Sequence, residues 1–92
     1  MREIIIRRTH GKTPIEARAA AERIAAQLAE KYDLTTTWED EQLRFKRPGL
    51  AGELTLVGTQ AILTIRLGAF FAALKPVIER EVAEYIDENF SL

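Results

Sequence analysis

The 92 residues include no cysteine, one histidine and one serine, and these shortages exclude much chemistry before any motif is sought. Without cysteine there are no disulfides and no thiolate metal sites, a composition that suits a reducing compartment. The one serine is Ser91. It stands at a chain end, where fraying prevents a hydroxyl from being held beside a base, so a serine triad is excluded. With His10 as the single imidazole and no His-x-x-x-His spacing, a zinc site would have to be built from carboxylates, and no metal centre is expected. Glycines at 11, 49, 52, 58 and 68 fall in turns or in a strand and form no phosphate-cradling loop at a helix start. No apolar run approaches the roughly 20 residues of a membrane span, and the opening MREIIIRR is too short and too charged for a signal peptide. The expectation is a cytoplasmic chain, folding as one domain over residues 1–92, with no catalytic residue, no cofactor and no metal ligand. A net charge of −1 offers no dominant sign for a polyanionic or polycationic partner.

What the chain does have is a long stretch of strands and turns from Leu43 to Leu67, apolar at every second position. Pro48-Gly49 suits the centre of a type II turn, which sets Arg47 opposite Leu50, Phe45 opposite Gly52 and Leu43 opposite Leu54. A loop at Gly58-Thr59 sets Leu56 opposite Ala61, Leu54 opposite Leu63, Gly52 opposite Ile65 and Leu50 opposite Leu67. A third turn at Asp40-Glu41 pairs Trp38 with Leu43 and Thr36 with Phe45. Three separate turn assignments thus build continuous rows, Trp38, Leu43, Leu54, Leu63 and Thr36, Phe45, Gly52, Ile65. A slip of one residue in any strand would turn its apolar side outwards.

Around this meander the remaining segments are helical or extended. An Ile-rich strand covers about Glu3 to Arg8. Thr13-Pro14-Ile15-Glu16 is a capping box with proline at the first helical position, and the helix it opens runs to about Lys31. Its buried stripe is Ala17, Ala20 or Ala21, Ile24 and Leu28, small enough for close approach to a sheet. Leu34 to Trp38 form the second strand. After Gly68 the apolar positions Phe71, Leu74, Ile78, Val82, Tyr85 and Ile86 recur at helical spacing to about Phe90, with a kink or fresh start expected at Pro76. The fold class is α+β, in the order β-α-β-β-β-β-α: a mainly antiparallel five-stranded sheet in the order 1-5-4-3-2, with both helices on one face.

Few residues invite a functional reading. His10 is a candidate proton-transfer group or ligand, because imidazole as a class titrates near neutral pH, but it stands in a strand-to-helix loop where a structural hydrogen bond serves equally well. Trp38 falls in the core rows, which favours packing over ligand stacking. Glu39, Asp40 and Glu41 form a solvated hairpin loop. The sheet face away from the helices carries Arg7, Arg44, Lys46 and Arg66, a possible polyanion surface that lacks the interleaved aromatics of a single-strand platform. Phe70 points about 100° away from Phe71 and groups with Ala73 and Val77, an apolar edge open to a second contact.

The Ile-x-Ile strand followed by His10, the Glu16-Ala17-Arg18 helix opening, Tyr32 and Trp38, Leu43-x-Phe45 with Gly49-Leu50-x-Gly52-x-Leu54, and Leu67-Gly68 before the last helix form an order that resembles the polyhydroxyalkanoic acid system proteins. These are small bacterial proteins associated with storage-polyester metabolism and its granules, and no catalytic residues are established that could be carried over. The resemblance implies a non-enzymatic accessory protein that binds a polyhydroxyalkanoate granule, a granule protein or itself as a homodimer. The surface expected for that contact, Phe70, Ala73 and Val77, comes from the helical spacing, because Pro76 and the Phe70-Phe71 pair are not part of the matching pattern. The rival readings are an RNA or polyanion binder using the basic sheet face, ranked second because the chain is not basic, and a small-ligand binder with a cavity between helices and sheet.

Overall fold

In a computed structural model, which describes residues 2–90, the chain forms a five-stranded antiparallel sheet covered on one face by helices. The elements are β1 (Arg2–Thr9), α1 (Pro14–Tyr32), β2 (Thr35–Glu39), β3 (Gln42–Arg47), β4 (Leu50–Val57), β5 (Gln60–Leu67), α2 (Ala69–Ala72) and α3 (Lys75–Phe90). Ser91 lies outside the described residues. The sheet order is β1-β5-β4-β3-β2, as the pattern of apolar residues predicts.

The register follows from the turns. Arg47 pairs with Leu50, Phe45 with Gly52 and Leu43 with Leu54; Leu56 pairs with Ala61 and Gly52 with Ile65; Trp38 pairs with Leu43 and Thr36 with Phe45. Gly49 has φ 86°, the left-handed conformation that the second central residue of a type II turn requires. Because all three hairpin loops hold two residues, the strands stay in phase. Leu43, Phe45, Leu50, Leu54, Leu56, Leu63, Ile65 and Leu67 all reach the buried face.

Helix α1 begins as its cap dictates. Thr13 accepts a hydrogen bond from the Glu16 backbone N–H at 3.2 Å, and the Glu16 carboxylate accepts from the Thr13 N–H at 2.9 Å. The bond from the Thr13 backbone N–H, helped by the Thr13 side chain, holds the Glu16 carboxyl below its ordinary range. Ala17, Ala20, Ala21, Ile24, Ala25 and Leu28 are buried against the sheet, and the helix ends at Asp33 in the left-handed conformation. Replacing Thr13 with Ala leaves the Glu16 N–H without its partner and should cost about 1 kcal/mol, read as a lower chemical-denaturation midpoint at unchanged slope.

The C-terminal segment is two helices. Helix α2 ends at Ala72, and α3 restarts at Lys75 with Pro76 in its first turn, where a missing N–H costs little. The break corrects one core assignment. Leu74 falls in the turn between the helices and is 41% exposed, because the helical phase does not carry from Phe71 to Ile78. Ile78, Val82, Ile86 and Phe90 form the buried stripe of α3. Helix α3 lies beside α1 and over β1. Its acidic end meets the basic N-terminal strand through an ion pair, Arg8 Nε to Asp87 Oδ1 at 2.6 Å. Both partners are solvated, so the pair aligns the two elements more than it stabilises them.

Candidate functional site

His10 is 2% exposed at the end of β1. Its backbone N–H donates to the Thr59 carbonyl at 2.7 Å, and its Nδ1 accepts from the Lys12 N–H at 3.2 Å. The acceptor role of Nδ1 assigns the ring proton to Nε2. Phe90 closes over the imidazole with ring centroids 5.3 Å apart and planes tilted by 41°. Nε2 has no hydrogen-bond partner among the described residues. The ring therefore holds the loop that leads from the sheet into α1, and it offers no face to a substrate. Phe90 as the lid of His10 was missed by sequence reasoning, although Val82, Ile86 and Phe90 recur at every fourth residue.

Trp38 is only half buried, because β2 is the edge strand and α1 does not fully cover it. The Arg18 guanidinium lies 3.8 Å from the indole centroid, and the indole N–H donates to Glu22 at 3.2 Å. One ring face is thus occupied by a cation of the same chain. A shallow groove of about 290 Å³ beside it is lined by Ala25, Ala26, Thr36, Trp38 and Leu43.

The open sheet face carries all four basic residues, and two of them, Arg44 and Arg66, are paired with carboxylates. Arg66 makes a two-pronged pair with Glu53, both N–O distances being 2.9 Å, and Arg44 pairs with Glu39 at 2.6 Å. The Arg66 hydrogen bonds outweigh burial and hold the Glu53 carboxyl below the ordinary range. Lys46 and Arg7 are exposed. Alongside, a groove of about 330 Å³ is lined by Thr35, Thr37, Arg44, Lys46, Glu53 and Arg66, its cations mostly answered by carboxylates of the same face. Because Glu53 has a lowered folded pKa, the pair contributes stability that is present above the unfolded value and lost as pH falls through the folded one. The stability gap between the wild type and Glu53→Gln should therefore narrow from about pH 4.5 downwards, which denaturation at a series of pH values will read.

The apolar edge brings three exposed large hydrophobic side chains, Phe70, Leu74 and Val77, close together in the sequence. Phe70 is 75% exposed and Val77 46%, and with Ala73 and Leu74 they line the corner where α2 turns into α3. Gly68 starts α2 directly after β5, so the short helix has one buried anchor, Phe71, and its other aromatic side chain has to face outwards. Phe70 leans edge-to-face on Phe71, with centroids 5.1 Å apart. This contact holds the exposed ring in place without burying it.

Among the described residues no group of three or more His, Cys, Asp or Glu side chains is placed to hold a metal ion, and no helix is long and apolar enough to cross a membrane. A family model described as "Putative polyhydroxyalkanoic acid system protein" matches residues 4–90. That match takes in every strand and helix, β1 from Ile4 onwards, and ends with α3 at Phe90. No curated protein and no solved structure matches the chain.

Proposed function

This chain belongs to the polyhydroxyalkanoic acid system protein family, and from that premise we propose that it is a non-enzymatic accessory protein of storage-polyester metabolism that contacts the granule through the corner formed by Phe70, Ala73, Leu74 and Val77. The observation that carries the reading is the exposure of Phe70, a large ring held outwards by Phe71 beside the break between α2 and α3 at Ala73-Leu74. A polyester surface is apolar and featureless, and it requires of its ligand an apolar projection, with no pocket and no hydrogen-bonding code. The protein's own chemistry suits that task and offers little to catalysis, since its histidine is enclosed and its paired charges are satisfied on the sheet face. On this reading the protein is cytoplasmic.

Burying one phenylalanine contributes about 1.5–3 kcal/mol, so one corner gives weak, reversible contact and attachment needs more than one. Phe70→Ser should lower co-sedimentation with polyhydroxyalkanoate granules while the protein stays folded. Its cost in stability is limited to the edge-to-face contact with Phe71, about 0.5–1.5 kcal/mol. Protein-free polyester particles separate the polymer from a granule protein as the partner. Undiminished co-sedimentation of Phe70→Ser with both would overturn this contact surface.

A further inference from the structure

We infer that the free edge of β2 is a homodimerisation edge, pairing antiparallel with β2 of a second copy about a two-fold axis at Thr37 to make one ten-stranded sheet. The two edges of the sheet are unlike. β1 carries Arg7 and Arg8, and Arg8 is tied to Asp87 of α3, which lies over that strand. Charged side chains and a covering helix are what keep a strand edge from pairing. β2, Thr-Thr-Thr-Trp-Glu, has no proline, no lysine and one charge, at its last position. Its threonines are exposed, and its backbone is extended through all five residues.

The outward groups can be worked out from the ladder. Leu56 N–H donates to the Glu41 carbonyl, so the odd-numbered residues of β3 aim their backbone groups at β4. The even-numbered ones, Gln42, Arg44 and Lys46, therefore bond β2 at Glu39, Thr37 and Thr35. Thr36 and Trp38, opposite Phe45 and Leu43, are left with their N–H and C=O groups aimed off the edge. A two-fold axis at Thr37 sets Thr36 of each copy opposite Trp38 of the other, which closes four backbone hydrogen bonds. It sets Thr37 opposite its own copy in a non-hydrogen-bonded position, where threonine pairs are favourable. Thr35 then faces Glu39 of the partner. Lys46, next to Thr35 on the open face, comes within side-chain reach of that carboxylate, and no like charges stand directly opposite within the strand. The indole of Trp38 and the groove formed with Ala25 and Ala26 border the seam on the helix side.

A two-fold axis of this kind runs perpendicular to the sheet, so both helical layers lie on the same face of the dimer. Both Phe70 corners then belong to one side of the assembly, the second contact that granule attachment requires. This consequence rests on the functional reading above, whereas the pairing itself rests only on the strand edge. A five-residue edge buries less than the roughly 1,600 Å² of a standard interface, so the dimer should dissociate on dilution.

The test is sedimentation of the purified full chain, without granules, over a range of concentrations. The wild type should pass from monomer to dimer. Thr37→Lys, at an exposed position on the open face beside Arg44, aligns four cations across the seam and should raise the dissociation constant about tenfold. In a mixture, T37K chains should pair with T37E chains in preference to themselves. Amide hydrogen exchange on the wild type supplies a reading that needs no variant: the Thr36 and Trp38 amides should gain protection as concentration rises. A wild type that stays monomeric throughout, amides that do not change, or a dimer that T37K leaves intact and Phe70→Ser dissociates would each overturn the pairing. Granule binding can fail with this dimer intact, so the two readings are separable.

Discussion

Gly52→Val should destabilise the protein by about 3 kcal/mol or slightly more, the upper end of what overpacking costs, while Ala51→Val, one residue away, should stay within about 0.5 kcal/mol. Gly52 lies in the middle of β4, between Phe45 on β3 and Ile65 on β5. A Cβ at this position would collide with the Thr64 carbonyl oxygen and stand 2.8 Å from Phe45 Cε2. The phenyl ring has no room to withdraw, since it lies across the strand with α1 packed over the sheet, and the carbonyl belongs to a central strand held by β1 and β4. Valine adds two methyl groups to the collision. Ala51 points to the open face, where its neighbours are the exposed Lys46 and the half-buried Arg66. Urea denaturation of the two variants measures the difference directly. Equal midpoints would mean that the ring does not lie over the strand.

The meander was legible because its information is local. Each two-residue loop contains residues suited to a tight turn, and the alternation of apolar positions on both sides then admits one register. Sheet order followed from the same source, since the isoleucines of β1 and the apolar face of β5 need each other. Where the reading went astray, the deciding factor was not periodic. Leu74 fits the spacing of Phe71 and Ile78 on paper, but the restart at Lys75 breaks the phase between them. Trp38 lies in the correct row yet is half exposed, because a row ends at the edge strand and nothing in the alternation marks how far α1 reaches over it. The pairing of Arg44 and Arg66 with Glu39 and Glu53 was within reach. Once the register is known, the open face can be read in rows as the buried face was, which shows that these cations and carboxylates share one surface; the pairs themselves are diagonal, since Glu53 stands directly across from Arg44 yet bonds Arg66. The enclosure of His10 by Phe90 depends on where α3 lies over β1, and no local pattern encodes that placement.

Phe71→Ser should cost about 3–5 kcal/mol, a large share of the 5–15 kcal/mol that holds a typical domain together. Phe71 is 6% exposed and is the one buried residue of α2. Three separate parts of the chain converge on its ring. Tyr32, at the end of α1, meets it edge-on with centroids 6.4 Å apart, and the Arg47 guanidinium lies 5.2 Å from its centre while donating a hydrogen bond to the Tyr32 carbonyl at 2.9 Å. The backbone of the β3–β4 turn passes so close that a Cβ on Gly49 would touch the ring at 3.4 Å. Serine would leave a cavity at this junction and bring a hydroxyl with no evident partner, so transfer, cavity and polar terms all act in one direction. The loss extends to the candidate contact surface, because the ring of Phe70 rests against Phe71 and α2 is too short to hold its shape unaided. Comparison with Phe70→Ser therefore separates support from contact. Phe71→Ser should lower the thermal midpoint sharply and abolish granule co-sedimentation only as far as it unfolds the protein, whereas Phe70→Ser should affect co-sedimentation with the midpoint little changed. If Phe70→Ser lowers the midpoint as far as Phe71→Ser does, Phe70 is a structural residue and the corner is not a free surface.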